Sequence, residues 1–411
     1  MKLKPIINSL LETDMYKFSM GQAINAMFPG YMTTWTFKCR NKNVFFTPEM
    51  VQEIGEQLEA YCKLEFTQEE LDYLNKIPWI RGSYVYRLDG WKPKFKDFEI
   101  SANAPCGLSI EAKGTWFNTS MYEIPVLAIV NEVYFRMAYD YQELKISFEE
   151  RLDDKFNKVK DNQFYLASFS EFGLRRRLSA EMEETAVARF ATLNDTKHSA
   201  SKFVGTSNVY LAKKLGINPV GTMAHEWIMC AGQGNLRHNP AFSNHYALTA
   251  WEDFYKTDNG IALTDTVTTD CFLRDFDKDL ATVFSGVRHD SGDPYAWGEK
   301  MIQMYQGYGI DPKTKTLLFS DSLNFEKADK LAYHFKDKAR VAFGIGTYIA
   351  NDTCVEPLNI VMKTTACNGH DVAKISDTEG KGMCKNPEYV DLVKKNIEWR
   401  LQNEKVGARY D

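Results

Sequence analysis

One histidine, His225, lies where a short apolar stretch gives way to polar residues. It belongs to "GTMAHEW" (residues 221–227), which follows "NPV", a stretch with the character of a buried strand end. Histidine changes charge near neutral pH, so it can act as a base or a nucleophile as well as pack in a core. The chemical interpretation requires that polar residues at the ends of other strands suit the same reaction.

Polar clusters do end the apolar runs in the second part of the chain. They are Glu171-Phe172-Gly173 with Arg175, Gly205-Thr206-Ser207-Asn208, Thr222 with His225, Thr264-Asp265, Arg288-His289-Asp290-Ser291-Gly292-Asp293, Ser320-Asp321-Ser322 and Gly344-Ile345-Gly346-Thr347. A single cluster of this kind is usually only a helix cap. Seven of them in register favour a binding site at one end of a barrel, where barrel enzymes keep their active sites.

The residue types in these clusters favour a phosphorylated ligand. "GIGT" (residues 344–347) leaves backbone N–H groups open to phosphate, and hydroxyls and arginines supply further donors. The aspartates of "RHDSGDP", Asp290 and Asp293, suit sugar hydroxyls or a Mg²⁺ ion bound to pyrophosphate. A zinc site is not indicated, because "HEWIM" lacks a second histidine at the required spacing.

The elements that would position these residues change character near residue 160. Eight short apolar runs of strand type follow that point, several of them alternating with helical patterns: "FYLASF", "SKFVGT", "NPVGT", "GIALTD", "TVFSGVR", "TLLFSD", "RVAFGIGT" and "LNIVMK". Alternating strands and helices predict a parallel β/α barrel, here an irregular one because the spacing is uneven. The mixed pattern before residue 160 predicts an α+β unit. We therefore expect an α/β protein with an N-terminal α+β domain at 1–150, completed by 366–411, and a barrel at 151–365.

Composition describes an ordinary globular protein. The 411 residues are 44% hydrophobic and 26% charged, and the net charge of -5 gives no basic surface for nucleic acid or anionic membranes. No apolar run approaches the roughly 20 residues of a membrane-spanning helix, and the N-terminus lacks a signal-peptide core. Eight cysteines occur without a CxxC pair, so we expect reduced thiols and a cytoplasmic location.

Several motifs together resemble the nicotinate phosphoribosyltransferase family, a member of the type II phosphoribosyltransferase superfamily. They occur in the family's order from about residue 8 to about residue 385: "TDMYKFSMGQA", "EFGLRRR", "GTSNVYLAKKLG", "PVGTMAHEW", "GIALTDTVTTDCFLRDF", "GVRHDSGDP", "FSDSLNFEKA" and "FGIGT". "GTMAHEW" with "VRHDSGDP" about sixty residues later is the most specific combination. The resemblance implies synthesis of nicotinate mononucleotide and pyrophosphate from nicotinate and phosphoribosyl pyrophosphate, on a salvage route to NAD.

The resemblance also implies coupling to ATP, Mg²⁺ bound with the substrate phosphates, and a homodimer with shared active sites. The family's "GTxAHEW" histidine is phosphorylated by ATP, which implies a phosphohistidine at His225 and a ligase-type enzyme. Imidazole suits this role, because its phosphoryl adduct is labile enough to be hydrolysed in each turnover.

Other residues take roles by matching the family motifs. The "TDxYK" segment, implied to come from the partner subunit, would stack Tyr16 on the pyridine ring, with Asp14 beside it at the phosphoribosyl site. Phe172 would form the opposite aromatic wall. Thr222 and Arg288 would contact nicotinate, since an arginine is the expected partner of a carboxylate.

The remaining matches concern the phosphoribosyl substrate. Arg175 would meet a phosphate or the ring carboxylate, whereas Arg176 and Arg177 are expected to face solvent. Asp290 fits the ribose hydroxyls and, with Arg288 and His225, completes the expected catalytic set. The region implied to hold the phosphoribosyl phosphate contains Ser320, Asp321, Gly346 and Thr347.

Ser207 bears on the choice of ring. In the related nicotinamide phosphoribosyltransferases an aspartate at the matching position accepts a hydrogen bond from the amide. A hydroxyl does not repel a carboxylate as an aspartate would, so nicotinate is the expected substrate. The alternatives are nicotinamide or quinolinate phosphoribosyltransferase, a phosphate-sugar-binding regulator with an inactive site, and a structural barrel.

Overall fold

The computed structural model describes residues 4–103, 105–195 and 199–404, and its strands form two separate sheets. The strands are β1 (Met32–Cys39), β2 (Phe98–Ser101), β3 (Ser109–Thr115), β4 (Ser168–Glu171), β5 (Lys202–Thr206), β6 (Asn218–Pro219), β7 (Ile261–Leu263), β8 (Gly286–His289), β9 (Thr316–Phe319), β10 (Arg340–Ile345), β11 (Ile360–Cys367) and β12 (His370–Asp371). The helices are α1 (Met15–Met27), α2 (Pro48–Tyr61), α3 (Gln68–Leu74), α4 (Gly82–Leu88), α5 (Trp116–Ala138), α6 (Tyr141–Lys160), α7 (Ala180–Ala191), α8 (Val209–Leu215), α9 (His225–Gln233), α10 (Ser243–Tyr255), α11 (Thr269–Asp275), α12 (Lys278–Val283), α13 (Pro294–Gly307), α14 (Phe325–Phe335), α15 (Thr347–Ala350) and α16 (Pro387–Asn403).

The larger sheet is the predicted irregular barrel. Its seven strands are parallel and lie in the order β6-β5-β4-β10-β9-β8-β7. The first and last strands of this set in the chain, β4 and β10, are neighbours, so the sheet curls round and closes there. It stays open between β6 and β7, and the carboxyl ends of all seven strands face one mouth.

The eighth apolar run was predicted as a barrel strand, and this prediction is wrong. "LNIVMK" leads into β11, which pairs with β1 in the other, antiparallel sheet, with Cys39 opposite Ile360 and Thr33 opposite Cys367. Residues of β11 alternate largely between buried and half-buried, as expected for a sheet with one covered face, whereas β8 is buried throughout. The expected domain boundary at residue 365 therefore falls inside a strand of the N-terminal domain.

The N-terminal domain is built around the antiparallel sheet, in the order β12-β11-β1-β3-β2, and the long helix α5. Helix α5 is buried from Trp116 to Phe135 almost without interruption, so it forms the centre of this domain. The C-terminal segment contributes β12 to the sheet, but α16 packs on the barrel instead. There Arg400 lies 2.7 Å from Asp275, and both side chains are fully buried. Residues 405–411 of the expected C-terminal segment lie outside the described residues.

No helix in the described ranges has both the length and the apolar character that crossing a membrane requires.

Candidate active site

A cavity at the mouth of the barrel, here called the ring cavity, is lined by the residues expected to bind the pyridine ring. Its lining includes Asp14, Tyr16, Phe172, Arg175, Ser207, Thr222 and Arg288, with Val220, Ile261 and Leu318 supplying apolar surface. Two aromatic side chains and two guanidinium groups thus face one small space. Such a lining suits a flat ring that carries a negative charge.

Local backbone contacts position the ring-cavity side chains. Phe172 directly follows β4, and its N–H donates to the Ile345 carbonyl at 2.8 Å. A Cβ on Gly344 would lie only 2.4 Å from the Phe172 ring, so the absence of a side chain there lets the ring lie against β10. Thr222 is held by a 3.0 Å hydrogen bond from its hydroxyl to the Ile261 carbonyl.

Tyr16 enters the ring cavity of its own chain, which corrects the expectation that its segment crosses to a partner. The Met15 N–H donates to the Ser207 carbonyl at 2.8 Å, and the Ser207 hydroxyl donates to Asp14 at 2.7 Å. On the other side, a Cβ on Gly221 would lie 2.7 Å from the Tyr16 nitrogen. Close packing against two barrel loops of the same chain thus fixes this segment.

A second cavity, here called the polar cavity, adjoins the ring cavity and shares Phe172, Arg175 and Arg288 with it. Its lining also includes the predicted residues Asp290, Ser320, Gly346 and Thr347, together with Arg176. Asp321 lines neither cavity; its carboxylate pairs with Lys381 at 2.5 Å. Most of the predicted phosphate-binding residues are therefore brought together; the exceptions are Asp321 and Asp14, which lines the ring cavity only.

His225 is the first residue of α9 and is buried. Its Nδ1 lies 2.9 Å from the Thr266 hydroxyl, and its Nε2 lies 2.9 Å from Oδ2 of Asp290 and 2.9 Å from Nζ of Lys374. Burial lowers the pKa of His225 to about 4, and the Lys374 ammonium adds to this effect against the opposing influence of Asp265 and Asp290. The imidazole is therefore neutral at pH 7.

Asp290 connects the histidine to the polar cavity. Its Oδ2 faces His225, whereas its Oδ1 lies 3.4 Å from Nη2 of Arg288 and 3.0 Å from the Ser320 hydroxyl. Burial alone would raise the pKa of Asp290, but Arg288 and the hydrogen bond with His225 hold it well below its usual value. Asp290 is thus ionised and acts as a shared acceptor.

The three consecutive arginines have three different environments. Arg175 lines both cavities, with Nη1 3.9 Å from Glu123, and Arg176 lines the polar cavity. Arg177 is fully buried and pairs with Glu12 at 2.8 Å and Glu183 at 3.1 Å. The expectation that Arg176 and Arg177 face solvent is therefore wrong, because a run of like charges does not reveal which side chains point inward.

Sequence reasoning missed two residues that contact His225, namely Thr266 and Lys374. Lys374 lies 149 positions after the histidine, in a segment that was expected to complete the N-terminal domain and not to line the site. It reaches His225 because that segment returns over the barrel mouth. The lysine's Nζ also lies 3.3 Å from Asp265. Only the tertiary contact marks it as part of the site.

His225, Asp265 and Asp290 place potential ligand atoms within 4.8 Å of one another. A resident metal ion does not fit this cluster, because the Lys374 ammonium already lies between these groups, at 2.9 Å from the His225 ring nitrogen. Asp290 is partly exposed toward the polar cavity, so Mg²⁺ that arrives with a substrate's phosphates would meet this carboxylate instead.

The open parallel barrel, with two adjoining cavities at its mouth, agrees with the fold of the type II phosphoribosyltransferases. Comparison with known proteins agrees. Residues 167–400 match the nicotinate phosphoribosyltransferase (NAPRTase) family, and residues 11–131 match its N-terminal domain. The chain belongs to the nicotinate phosphoribosyltransferase family.

Individual relatives cover almost the whole chain. Nicotinate phosphoribosyltransferase from Bordetella bronchiseptica is 43% identical over 397 residues, which is 95% of this chain and 94% of the relative, and the enzyme from Acidovorax sp. (strain JS42) is 40% identical over 398 residues, 96% and 98% of the two chains. Two crystal structures of nicotinate phosphoribosyltransferases superpose with a TM-score of 0.87. The Porphyromonas gingivalis structure is 34% identical and covers 96% of this chain and 100% of its own. The Vibrio cholerae structure is 33% identical, with 96% and 94% covered.

Proposed function

We propose that this protein joins nicotinate to phosphoribosyl pyrophosphate, giving nicotinate mononucleotide and pyrophosphate for the salvage of NAD. We further propose that the reaction is coupled to ATP hydrolysis through a transient phosphohistidine at His225. The observation that carries the proposal is the pair of adjoining cavities that share Phe172, Arg175 and Arg288. One cavity suits an aromatic acid, the other suits a sugar phosphate, and the shared wall lies where the two substrates would meet.

The ring cavity would hold nicotinate between Tyr16 and Phe172. Its carboxylate would pair with the guanidinium of Arg288. Contacts of that guanidinium with Ser320, the Met223 carbonyl and Asp290 fix its plane. Arg175 lies on the same wall and offers a second positive charge. Both charges favour an acid over a neutral amide.

Ser207 and Asp14 refine this selectivity. Because the Ser207 hydroxyl donates to Asp14, one acceptor oxygen of that carboxylate is already satisfied. Burial also raises the pKa of Asp14, against the opposing influence of Arg175 and of the hydrogen bond from Ser207. A second aspartate in place of Ser207, as in nicotinamide-specific relatives, would add the repulsion that nicotinate avoids here.

Transfer of the sugar needs no dedicated base, because the pyridine nitrogen of nicotinate is unprotonated near pH 7. The bond from the anomeric carbon to the pyrophosphate oxygen breaks through an oxocarbenium-like state, and the ring nitrogen forms the new bond to that carbon. Arg175, Arg176 and the N–H groups near Gly346 line the polar cavity and would neutralise charge on the phosphates. Asp290 would hold the ribose hydroxyls.

The contacts of His225 indicate how it would accept a phosphoryl group. Nε2 lies 2.9 Å from Oδ2 of Asp290, which only accepts hydrogen bonds, and 2.9 Å from Nζ of Lys374, which only donates them. Nδ1 lies 2.9 Å from the Thr266 hydroxyl, which can do either. The unprotonated ring nitrogen of His225 would form a bond to the γ-phosphorus of ATP as the bond to ADP breaks, and water would later release phosphate. The negative charge that develops lies close to Lys374.

Three further features belong to the same proposal. Mg²⁺ is proposed to enter with phosphoribosyl pyrophosphate and ATP, as a companion of their phosphates. A homodimer is proposed as the assembly, with each active site formed inside one chain. The cytoplasm is proposed as the location, on the basis of eight cysteines without a CxxC pair.

The test is an assay of the purified protein with nicotinate, nicotinamide and quinolinate, each with and without ATP. We expect turnover of nicotinate, stimulated by ATP, and little or none with the other two rings. Preferred use of nicotinamide or quinolinate would replace the proposal with one of those activities. Binding of phosphoribosyl pyrophosphate without turnover of any ring would favour a regulator.

A further inference from the structure

Helix α1 runs along the segment that leads into α9, so the motifs "TDMYK" and "GTMAHEW" form one packed unit. The Ser19 hydroxyl donates to the Gly221 carbonyl at 3.2 Å, and the Ala224 N–H lies 3.4 Å from the sulfur of Met20. The close approach of Gly221 to the Tyr16 backbone belongs to the same contact. The two segments are about two hundred residues apart in the chain, and this contact brings their side chains into one site.

A buried ion pair completes the contact. Lys17 is fully buried, and its Nζ lies 2.5 Å from Glu226 and 2.7 Å from Glu123 of α5. The ammonium also lies 4.7 Å from the ring centroid of Trp35, within the range of a cation–π contact. Lys17 directly follows Tyr16 in the chain, and Glu226 directly follows His225. The Lys17–Glu226 ion pair therefore links the backbone next to Tyr16 with the backbone next to His225.

The charges around Lys17 balance, and the network continues to the substrate cavities. Lys363 lies 2.9 Å from the second oxygen of Glu123, so two ammonium groups face the carboxylates of Glu123 and Glu226. Burial alone would lower the pKa of Lys17, but the two glutamates outweigh it and raise that pKa. Glu123 also faces Arg175, which lines both cavities.

We propose that Lys17 is a positioning residue that ties the ring-stacking helix to the helix that begins at His225. By holding Glu226 and Glu123 together, it sets the place of Tyr16 against Phe172 and the place of His225 against Asp290. This role rests on the proposed function, in which Tyr16 stacks on the nicotinate ring and His225 accepts the phosphoryl group. Lys17 itself contacts neither substrate cavity within the described residues.

The experiment compares four variants of the full-length protein. Lys17→Met removes the ammonium, and Glu226→Gln removes one negative charge at nearly constant shape. The double variant has the same net charge as the wild type but lacks the Lys17–Glu226 ion pair. The control is Lys315→Met, which removes another buried lysine. Lys315 bonds the carbonyls of Thr282 and Phe284 at the amino ends of the strands, opposite the mouth. For each variant the KM for nicotinate, kcat, the rate of acid-labile phosphate uptake from ATP and the denaturation midpoint are measured.

We expect Lys17→Met to raise the KM for nicotinate and to slow phosphate uptake, each about tenfold, because small displacements of site groups have large kinetic effects. Glu226→Gln should change the KM for nicotinate and the rate of phosphate uptake by about threefold each, because Lys17 still pairs with Glu123. The double variant should regain stability but not the kinetic constants, whereas Lys315→Met should lose stability with unchanged kinetics.

Two results would overturn the proposal, and they differ. If the wild type turns over nicotinate but the folded Lys17→Met and Glu226→Gln proteins keep both constants, the positioning role fails and the proposed function stands. If the wild type neither turns over nicotinate nor takes up phosphate, the proposed function fails and this role fails with it. Should Lys17→Met not fold, Glu226→Gln decides between these results, because its ion-pair partner Lys17 keeps a carboxylate.

Discussion

Asp290 contacts His225 through one carboxylate oxygen, at 2.9 Å, and turns its other oxygen toward the polar cavity. A phosphoryl group on the imidazole would change the hydrogen bond on the first side and, with it, the position and charge of the carboxylate on the second. This single side chain gives a physical route by which ATP-driven phosphorylation could alter the binding of the sugar phosphate without a shared covalent intermediate.

The first prediction concerns His225→Asn. Incubation with γ-labelled ATP should give an acid-labile, base-stable adduct on the wild-type peptide that contains "GTMAHEW", and the variant should give none and lack ATPase activity. Slow, ATP-independent phosphoribosyl transfer should remain, with weakened affinity for phosphoribosyl pyrophosphate, because attack of the ring on the sugar does not require the imidazole.

His289→Asn is the control for that experiment. The His289 ring packs 5.2 Å from Trp297 and its Nε2 lies 3.2 Å from the Gly292 carbonyl, so it has a structural environment. The labelled adduct should persist in this control. A His225→Asn protein that hydrolyses ATP at the wild-type rate would falsify the phosphohistidine assignment.

The second prediction is that Arg288→Lys raises the KM for nicotinate by about tenfold or more. Lysine keeps the charge but cannot make a planar two-pronged contact, a loss of roughly 1–3 kcal/mol for a charge-assisted bond. Steady-state kinetics at saturating phosphoribosyl pyrophosphate measure the effect. An unchanged KM would assign the carboxylate to Arg175, and the same substitution there would be the next measurement.

The third prediction concerns mixed subunits. Because Tyr16 lies in the cavity of its own chain, mixing Tyr16→Ala and His225→Ala chains should restore no activity through hybrid sites. Activity of the mixture after co-refolding is compared with the sum of the separate variants. Clear recovery of activity, in a mixture shown to contain heterodimers, would mean that the N-terminal segment exchanges between subunits.

The fourth prediction concerns pH. With a pKa of about 4, His225 stays neutral in the folded protein, so phosphate uptake should be level from about pH 8 to about pH 5 and decline only toward pH 4. Lys374→Met should move the decline to higher pH, because the ammonium helps to lower that pKa. Rapid-quench measurements of adduct formation across this range test both statements. A wild-type decline centred at pH 6.5 would contradict them.

The same shift affects stability. Between about pH 6.5 and pH 4 the unfolded histidine binds a proton that the folded one does not, so unfolding becomes easier as the pH falls through this window. Above pH 6.5 both states are neutral and the contribution of His225 is fully present. Denaturant titrations of wild type and His225→Asn at pH 7 and pH 5 should therefore show a smaller loss of stability on acidification in the variant.

The sequence by itself determined the class of fold and most of the residues that gather at the barrel mouth. Apolar runs that end in polar clusters predicted a barrel with its site at one mouth, and the structure brings Phe172, Ser207, Thr222 and Arg288 together there. These predictions succeed because the carboxyl ends of parallel strands meet at one edge whatever the details of packing.

The tertiary structure alone decided matters that depend on distant contacts. The eighth apolar run lies in the antiparallel sheet and not in the barrel. The hydrophobic pattern of a strand does not specify which strand it pairs with, because pairing depends on the packing of distant segments. The tertiary structure also placed Tyr16 in the site of its own chain, buried Arg177 and brought Lys374 to His225. Nothing in the neighbouring residues of these side chains encodes such contacts, since each depends on how segments far apart in the chain pack.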